Sequence, residues 1–191
     1  MASSPEMRFD SHAPRKYRTL IAVSVLTGIR QGEALGLQWA DVDVKAGVLR
    51  VRRQLDRTGE LVEPKTAAAK REVPIPPSLG RMLTAHREIA LSRGQAKPTD
   101  FVFASETGTP LGHRNVTGRG FEPAAEHAGI EGISFHSMRH AFASRMIDRG
   151  ISSTVLARLM GHESSAITER RYVHLFDKQR TDDAVRQAMS M

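Results

Sequence analysis

The chain has 191 residues, 40% of them apolar, enough for one domain with a sizeable core. Its 28 Lys and Arg against 21 Asp and Glu leave a formal net charge of +7, which favours a polyanionic partner, nucleic acid first and an acidic protein or membrane surface after it. The absence of cysteine excludes a disulfide framework, a thiolate metal site and a Cys nucleophile, and no apolar run approaches the roughly 20 residues of a membrane span.

The polar start "MASSPEMRFDSHAPRK" lacks the hydrophobic segment of a secretory signal. Residues 1–13 are expected to be disordered or vector-derived, and the chain is expected in the cytoplasm. Pro14 fits the first turn of a helix whose apolar residues Leu20, Ile21, Val23, Val25 and Leu26 are too dense for a surface helix. That helix should be buried and stop near Gly28. A second short helix is expected in "GEALGLQWADVD", with Leu35, Leu37 and Trp39 available to the core and Gly47 closing the turn.

The alternation in "GVLRVRRQL" reads as a strand, "DRTGE" as a turn, and "LVEPKTAAAKREVPIP" as a second strand, a flexible connection and a third strand. The pattern thus predicts one small antiparallel sheet over residues 48–76. "PSLGRMLTAHREIALSRG" has helical spacing, with Ser78 as the expected N-cap and Gly94 as the stop. "DFVFAS" is a short strand or loop, and "HRNVTGRGFEPAAEHAGI" a helix interrupted around Gly118 to Pro123. From Phe135 onward three helices follow, with Ser152 or Ser153 and Ser164 or Ser165 as caps for the last two. The expected fold is mostly α with a small antiparallel β-sheet, an α+β domain.

Several residues attract attention, each with a plain structural reading beside the chemical one. On a helix starting near Ser137, His136 and Arg139 point in neighbouring directions beside the apolar stripe Met138, Phe142 and Met146; alone, His136 reads as a cap and Arg139 as a surface ion pair. His136 and His140, at i and i+4, have the spacing of a zinc pair, but Ser137 replaces the Glu of an H-E-x-x-H site and no cysteine completes the shell, so no metal is expected. Arg30 and Glu33 read locally as a surface pair worth a few tenths of a kcal/mol. Lys65 and Lys70 lie on the connection between two strands, followed by Arg71; such a loop is usually just solvated. His162 follows Gly161 at a helix end, and Tyr172, one of two tyrosines, lies ten residues further on. Near a C-terminus a tyrosine is more often packing than catalysis.

Together, two arginines, two histidines, a lysine and a tyrosine without a carboxylate pair suit one reaction, phosphoryl transfer from a diester to a tyrosine oxygen. Forked guanidinium donors, here Arg30 and Arg139, match the charge on the nonbridging oxygens. The phenol, with a pKa of about 10 in water, needs cations or a base, and His136 can accept its proton. Lys65 can protonate the departing 5′-oxygen.

Four ordered blocks, "LTGIRQGEALGLQWADVD", "EPKTAAAKREVPIP", "FHSMRHAFASRMIDRG" and "LMGHESSAITERRYVH", cover most of residues 14–185. In them the sequence resembles the catalytic domain of the tyrosine recombinases, the phage integrase family. The resemblance implies the catalytic DNA breaking-rejoining fold over residues 14–176 and a tail, 177–191, that docks on a neighbouring protomer. It places the family's first arginine at Arg30, its acidic partner at Glu33, the hairpin lysine at Lys65 and the H-x-x-R pair at His136 and Arg139. His162 falls on the third-position histidine and Tyr172 on the nucleophile, with Lys70 as second choice for the general acid.

The resemblance implies a site-specific recombinase or integrase that forms a 3′-phosphotyrosyl intermediate and rejoins strands through a Holliday junction, without ATP, metal or other cofactor. The partner is double-stranded DNA, on which the full-length protein forms a homo-tetramer while the isolated chain stays monomeric; no membrane is involved. Such proteins are bacterial or phage-encoded and nucleoid-associated. Because the catalytic pattern starts within the first twenty residues, an isolated catalytic domain or a minimal member is expected. The alternatives are a DNA-binding accessory module of the same fold and a type IB topoisomerase-like enzyme.

Overall fold

In the computed structural model, which describes residues 14–189, the chain enters helix α1 (Arg15–Thr27) directly after Pro14. The expectation for residues 1–13, and the last two residues of the tail, lie outside the described residues. Leu20, Ile21 and Val23 are fully buried, as their density requires. The polar side chains in this helix turn back on it: Ser24 Oγ donates to the Leu20 carbonyl at 3.2 Å and Thr27 Oγ1 to Val23 at 2.5 Å. The helix ends at Gly28 (φ 66°), where a Cβ would meet the Phe142 ring at 2.3 Å, so position 28 demands glycine for both backbone and space.

Helix α2 (Gln31–Leu35) follows, its start held by the Glu33 carboxylate, which accepts the Arg30 backbone N–H at 2.8 Å. A 3-10 turn at Trp39–Asp41 leads into β1 (Val42–Asp43), β2 (Val48–Val51), β3 (Gln54–Leu55), β4 (Leu61–Val62) and β5 (Arg71–Pro74). The single sheet expected over residues 48–76 is in fact two antiparallel sheets, β1-β2-β5 and β3-β4. The ladder breaks at Arg52 and Arg53. Arg53 turns toward buried Asp41, bonding its Oδ2 at 2.9 Å, and β3 leans onto α2, where Gly36 leaves room that a Cβ would close to 2.9 Å from the Gln54 Cα.

Helix α3 (Pro77–Ser92) starts with Pro76 as its N-cap and Pro77 at N1, so Ser78 is inside the first turn rather than capping it; proline's fixed φ makes the better start. Helix α4 (His113–Val116), a π-helical turn (Thr117–Phe121) and α5 (Glu122–His127) form one run, the expected interruption being a widened turn rather than a break.

Helix α6 (Phe135–Asp148) begins two residues before the expected Ser137, and its cap is Ser134, not His136: Ser134 Oγ accepts the Ser137 N–H at 3.1 Å. Helix α7 (Ser153–Met160) is capped by Ser152 and stops at Gly161 (φ 63°). Helix α8 (Ser165–Met189) bends at Tyr172, whose backbone (φ −121°, ψ 21°) is not helical. Residues of the expected tail continue this helix with most of their side chains exposed.

The main core lies between α1, the sheet and α3. A second apolar cluster of Phe142, Ala143, Ile147, Leu156, Met160, Tyr172 and Phe176 ties α8 to α6 and α7. Among the described residues no helix is long and apolar enough to cross a membrane. The architecture is mostly helical with small antiparallel sheets.

Candidate active site

The site assembles where three element ends, the start of α2, the start of β5 and the end of α7, meet the middle of α6. At its base is Glu33, with a side chain 1% exposed. Its carboxylate accepts Arg71 Nη1 at 3.1 Å and Nη2 at 2.9 Å, and Arg30 Nη1 at 2.7 Å. Burial opposes ionisation of this carboxyl, but the Arg71 hydrogen bonds and charge, with Arg30 added, win and hold it below the usual carboxylate range. The local reading of Arg30 and Glu33 as a surface pair is therefore half right. Arg30 keeps 43% of its side chain exposed, so the guanidinium is anchored at one corner and open at the other.

Arg71 was not singled out from the sequence, yet it is the hub. Besides Glu33 it donates through Nε to the Leu159 carbonyl at 2.6 Å and through Nη1 to Ala69 at 2.9 Å, locking β5 to the end of α7. The signal was available. Alternation along β5 puts Arg71 on the face of buried Val73, and a buried cation requires a carboxylate partner.

Arg139, 4% exposed, reaches from α6 across this base. Its Nη1 donates to the Gly28 carbonyl at 2.6 Å and its Nη2 to the Met160 carbonyl and to His162 Nε2 at 3.3 Å. The two tight glycine-ended helices thus present their last carbonyls to one guanidinium. Burial and the charge of Arg30 draw its pKa down to about 9, with Glu33 opposing, which leaves it charged at neutral pH. Because Arg139 only donates, His162 Nε2 accepts. The His162 Nδ1–H is then the donor to Thr168 Oγ1, 2.8 Å away and fully buried. Burial and the charges of Arg139, Arg30, Arg171 and Arg71 push His162 down to about 4, so the ring is neutral.

Tyr172, 3% exposed, packs in the second apolar cluster with its hydroxyl pointing to the site. Its partner is His140, not His136: the hydroxyl lies 2.8 Å from His140 Nδ1. His140 Nε2 is in turn 2.9 Å from His136 Nε2, and His136 is exposed. The hydrogen bond to the phenol that the expected role of His136 calls for is made by His140 instead. One helical turn sets the two imidazoles side by side, and His140 is the one the kink of α8 reaches. Burial raises the phenol pKa, against the opposing charges of Arg139 and Arg171. The i, i+4 spacing was visible in the sequence only as a metal pair; among the described residues no group of three or more His, Asp or Glu is placed to hold a metal.

Lys65 stands apart. It is exposed on the connection between β4 and β5, whereas Lys70 is engaged by Glu63 at 2.8 Å. A basic groove of about 580 Å³ runs along the hairpin, lined by Arg50, Arg52, Arg53 and Lys70 among others. The structure therefore brings Arg30, Glu33, Arg139, His162 and Tyr172 into one cluster with His136 at its rim, and leaves Lys65 on a neighbouring loop.

The chain matches the phage integrase family over residues 6–179. It is 33% identical over 187 residues to a XerC-like tyrosine recombinase of Caldanaerobacter subterraneus subsp. tengcongensis, covering 87% of this chain and 48% of the relative. It is 31% identical over 169 residues to an integrase of Streptomyces ambofaciens, covering 80% and 42%. The chain thus spans about half the length of the curated relatives it matches. The fold is that of the Tn1549 transposon integrase solved with circular intermediate DNA, at a TM-score of 0.79 and 24% identity, covering 98% of this chain and 66% of that one. By sequence and by fold, the chain belongs to the phage integrase family, the tyrosine recombinases.

Proposed function

We propose that the chain is the catalytic portion of a site-specific DNA recombinase. Tyr172 attacks a DNA phosphodiester; the Tyr172 Oη–P bond forms as the P–O5′ bond breaks, leaving a 3′-phosphotyrosyl link and a free 5′-hydroxyl. That hydroxyl, on the partner strand, later reverses the reaction and joins new ends. The diester bond energy is kept in the link, so the chemistry itself calls for neither ATP nor a metal. The observation that carries this reading is a phenol hydrogen-bonded to an imidazole beside two arginines, one open to solvent and one fixed by backbone carbonyls.

In this reading Arg30 and Arg139 bind the nonbridging oxygens, Glu33 orients Arg30, and neutral His162, accepting from Arg139 through Nε2, holds that guanidinium in place for the phosphate. Lys65, exposed on the connection between β4 and β5, delivers a proton to the 5′-oxygen. Residues 14–176 are the catalytic unit. The exposed end of α8, with Val185 at 51% and Met189 at 82% exposure, is the segment that docks on a neighbouring protomer in a DNA-bound tetramer. The partner is double-stranded DNA and the place of action the cytoplasm.

The test is covalent capture. A pool of nicked duplexes of randomised sequence, incubated with the protein, should yield a denaturation-resistant adduct, from which the cleaved site is read. Tyr172→Phe should bind the selected duplex and yield none. An adduct formed by that variant, or none formed by the unaltered protein, overturns the reading.

A further inference from the structure

The recombinase reading leaves one link open: where the phenol proton goes. Three polar atoms stand in a row. Tyr172 Oη is 2.8 Å from His140 Nδ1, and His140 Nε2 is 2.9 Å from His136 Nε2. Two ring nitrogens at that distance share one hydrogen, and two of the arrangements that hydrogen counting allows differ only in moving each proton one place along the row. In the first, the phenol keeps its proton and donates to His140 Nδ1. Neutral His140 then carries its hydrogen on Nε2 and donates it to His136 Nε2. In the second, every proton has moved one place: the phenolate accepts from His140 Nδ1–H, and His136 holds both its protons as a cation.

We propose, resting on that recombinase reading, that His140 takes the Tyr172 proton and hands its own Nε2 proton to His136 as the phosphotyrosyl bond forms. The balance closes. Tyr172 Oη loses a proton and gains phosphorus, His140 ends neutral with its hydrogen on the other nitrogen, and the positive charge stops on His136. Environment sets that direction. His140 is faced by His136 and Arg139 from its own helix and by Tyr172 and Arg171 from α8, with no carboxylate among them, and burial and these charges hold its pKa below the usual histidine value. A positive charge is unwelcome there, so His140 suits passage better than storage. His136 is exposed, and water can hydrate its imidazolium and carry the proton away.

Two measurements test this, one without DNA. In ¹⁵N-labelled protein at neutral pH, His140 should appear as the tautomer protonated on Nε2 with a bare Nδ1; protonation on Nδ1 overturns the relay. On the duplex selected with the unaltered protein, His140→Phe should slow adduct formation on the order of 10²-fold at pH 7, with the deficit shrinking as rising pH ionises the phenol without help. His140→Ala, which vacates a ring-sized space, should recover rate in added imidazole. Melting and duplex binding of both variants confirm that they fold. A rate unchanged in His140→Phe, or a deficit constant with pH and deaf to imidazole, overturns the proposal while the recombinase reading stands. Failure of the unaltered protein to form any adduct overturns both.

Discussion

Glu33→Gln separates what holds this site together from what it does. The wild-type carboxylate accepts three guanidinium hydrogen bonds and a backbone N–H, with Arg71 and Glu33 side chains only 3% and 1% exposed. Glutamine keeps one acceptor oxygen but turns an NH₂ toward guanidinium donors and leaves the buried Arg71 charge without its counter-ion. Breaking a buried pair in this way costs about 3–5 kcal/mol. At roughly 2–4 °C per kcal/mol for a chain of this size, the melting temperature should fall by about 6–20 °C. Arg30→Ala removes the third partner, but its side chain is 43% exposed and screened by water, so its pair is worth about 0–1 kcal/mol and the melt should barely move. Adduct formation should nonetheless fall about 10²–10³-fold in Arg30→Ala.

The pH dependence has a definite sign. Because the folded-state pKa of Glu33 is depressed below the ordinary 4.5, its stabilisation is present above that pH and is lost as pH falls through the folded value. The melting curves of wild type and Glu33→Gln, followed by calorimetry from pH 7 downward, should therefore converge in acid. A Glu33→Gln protein within about 1 kcal/mol of wild type at pH 7, or a gap that persists unchanged in acid, refutes the assignment of Arg71 and Glu33 as a buried clamp.

Two further outcomes are expected. Lys65→Ala should slow cleavage about 10²-fold and regain the rate on a duplex with a 5′-bridging sulfur, whose departure needs no proton; without recovery the acid lies elsewhere. His162, pushed down to about 4, should stay neutral by NMR at pH 5. The unfolded ring titrates near 6.5, so the stability that depends on its neutrality is present above 6.5 and is lost as pH falls toward 4, a slope that His162→Gln should flatten.

Where neighbouring residues decide the structure, the sequence was enough. The apolar density from Leu20 to Leu26 forces a buried helix, Gly28 and Gly161 end helices in the left-handed region, and the stripe Met138, Phe142 and Met146 fixes which side of α6 faces inward. Long-range geometry was not legible. The split of the sheet depends on Arg53 finding Asp41 and on α2 lying under β3, neither of which is encoded in strand alternation. The true partner of Glu33 lies 38 residues downstream, so the local pair with Arg30 hid the stronger one. Likewise the spacing of His136 and His140 announces that the rings are neighbours but not which of them the bent α8 touches. The site residues themselves came from recognised blocks; their division of labour came from packing.

That packing leaves the site short of negative charge. Of the four arginines near the phenol and His162, Arg71 is neutralised by Glu33 and Arg30 shares that same carboxylate, while Arg139 is held by carbonyls that orient it without cancelling its charge. Arg171 adds to the field from α8. Burial first, and these uncancelled charges after it, pull both Arg139 and His162 down. Among the described residues Glu33 is the one carboxylate partner of these groups, and an anionic ligand would complement them. In the proposed reaction a phosphodiester brings one negative charge to Arg30 and Arg139 at once, and its pentavalent state spreads more of that charge onto the same guanidinium donors. Those donors are fixed by glycine-ended helices and a buried ion pair before any ligand arrives, so little reorganisation remains for the reaction itself. Burial, by contrast, raises the pKa of the phenol, against the charges of Arg139 and Arg171. In the proposed reaction, nucleophile and anion hole are thus tuned in opposite senses, and the histidine pair on α6 lies on the proposed path of the proton between those two states.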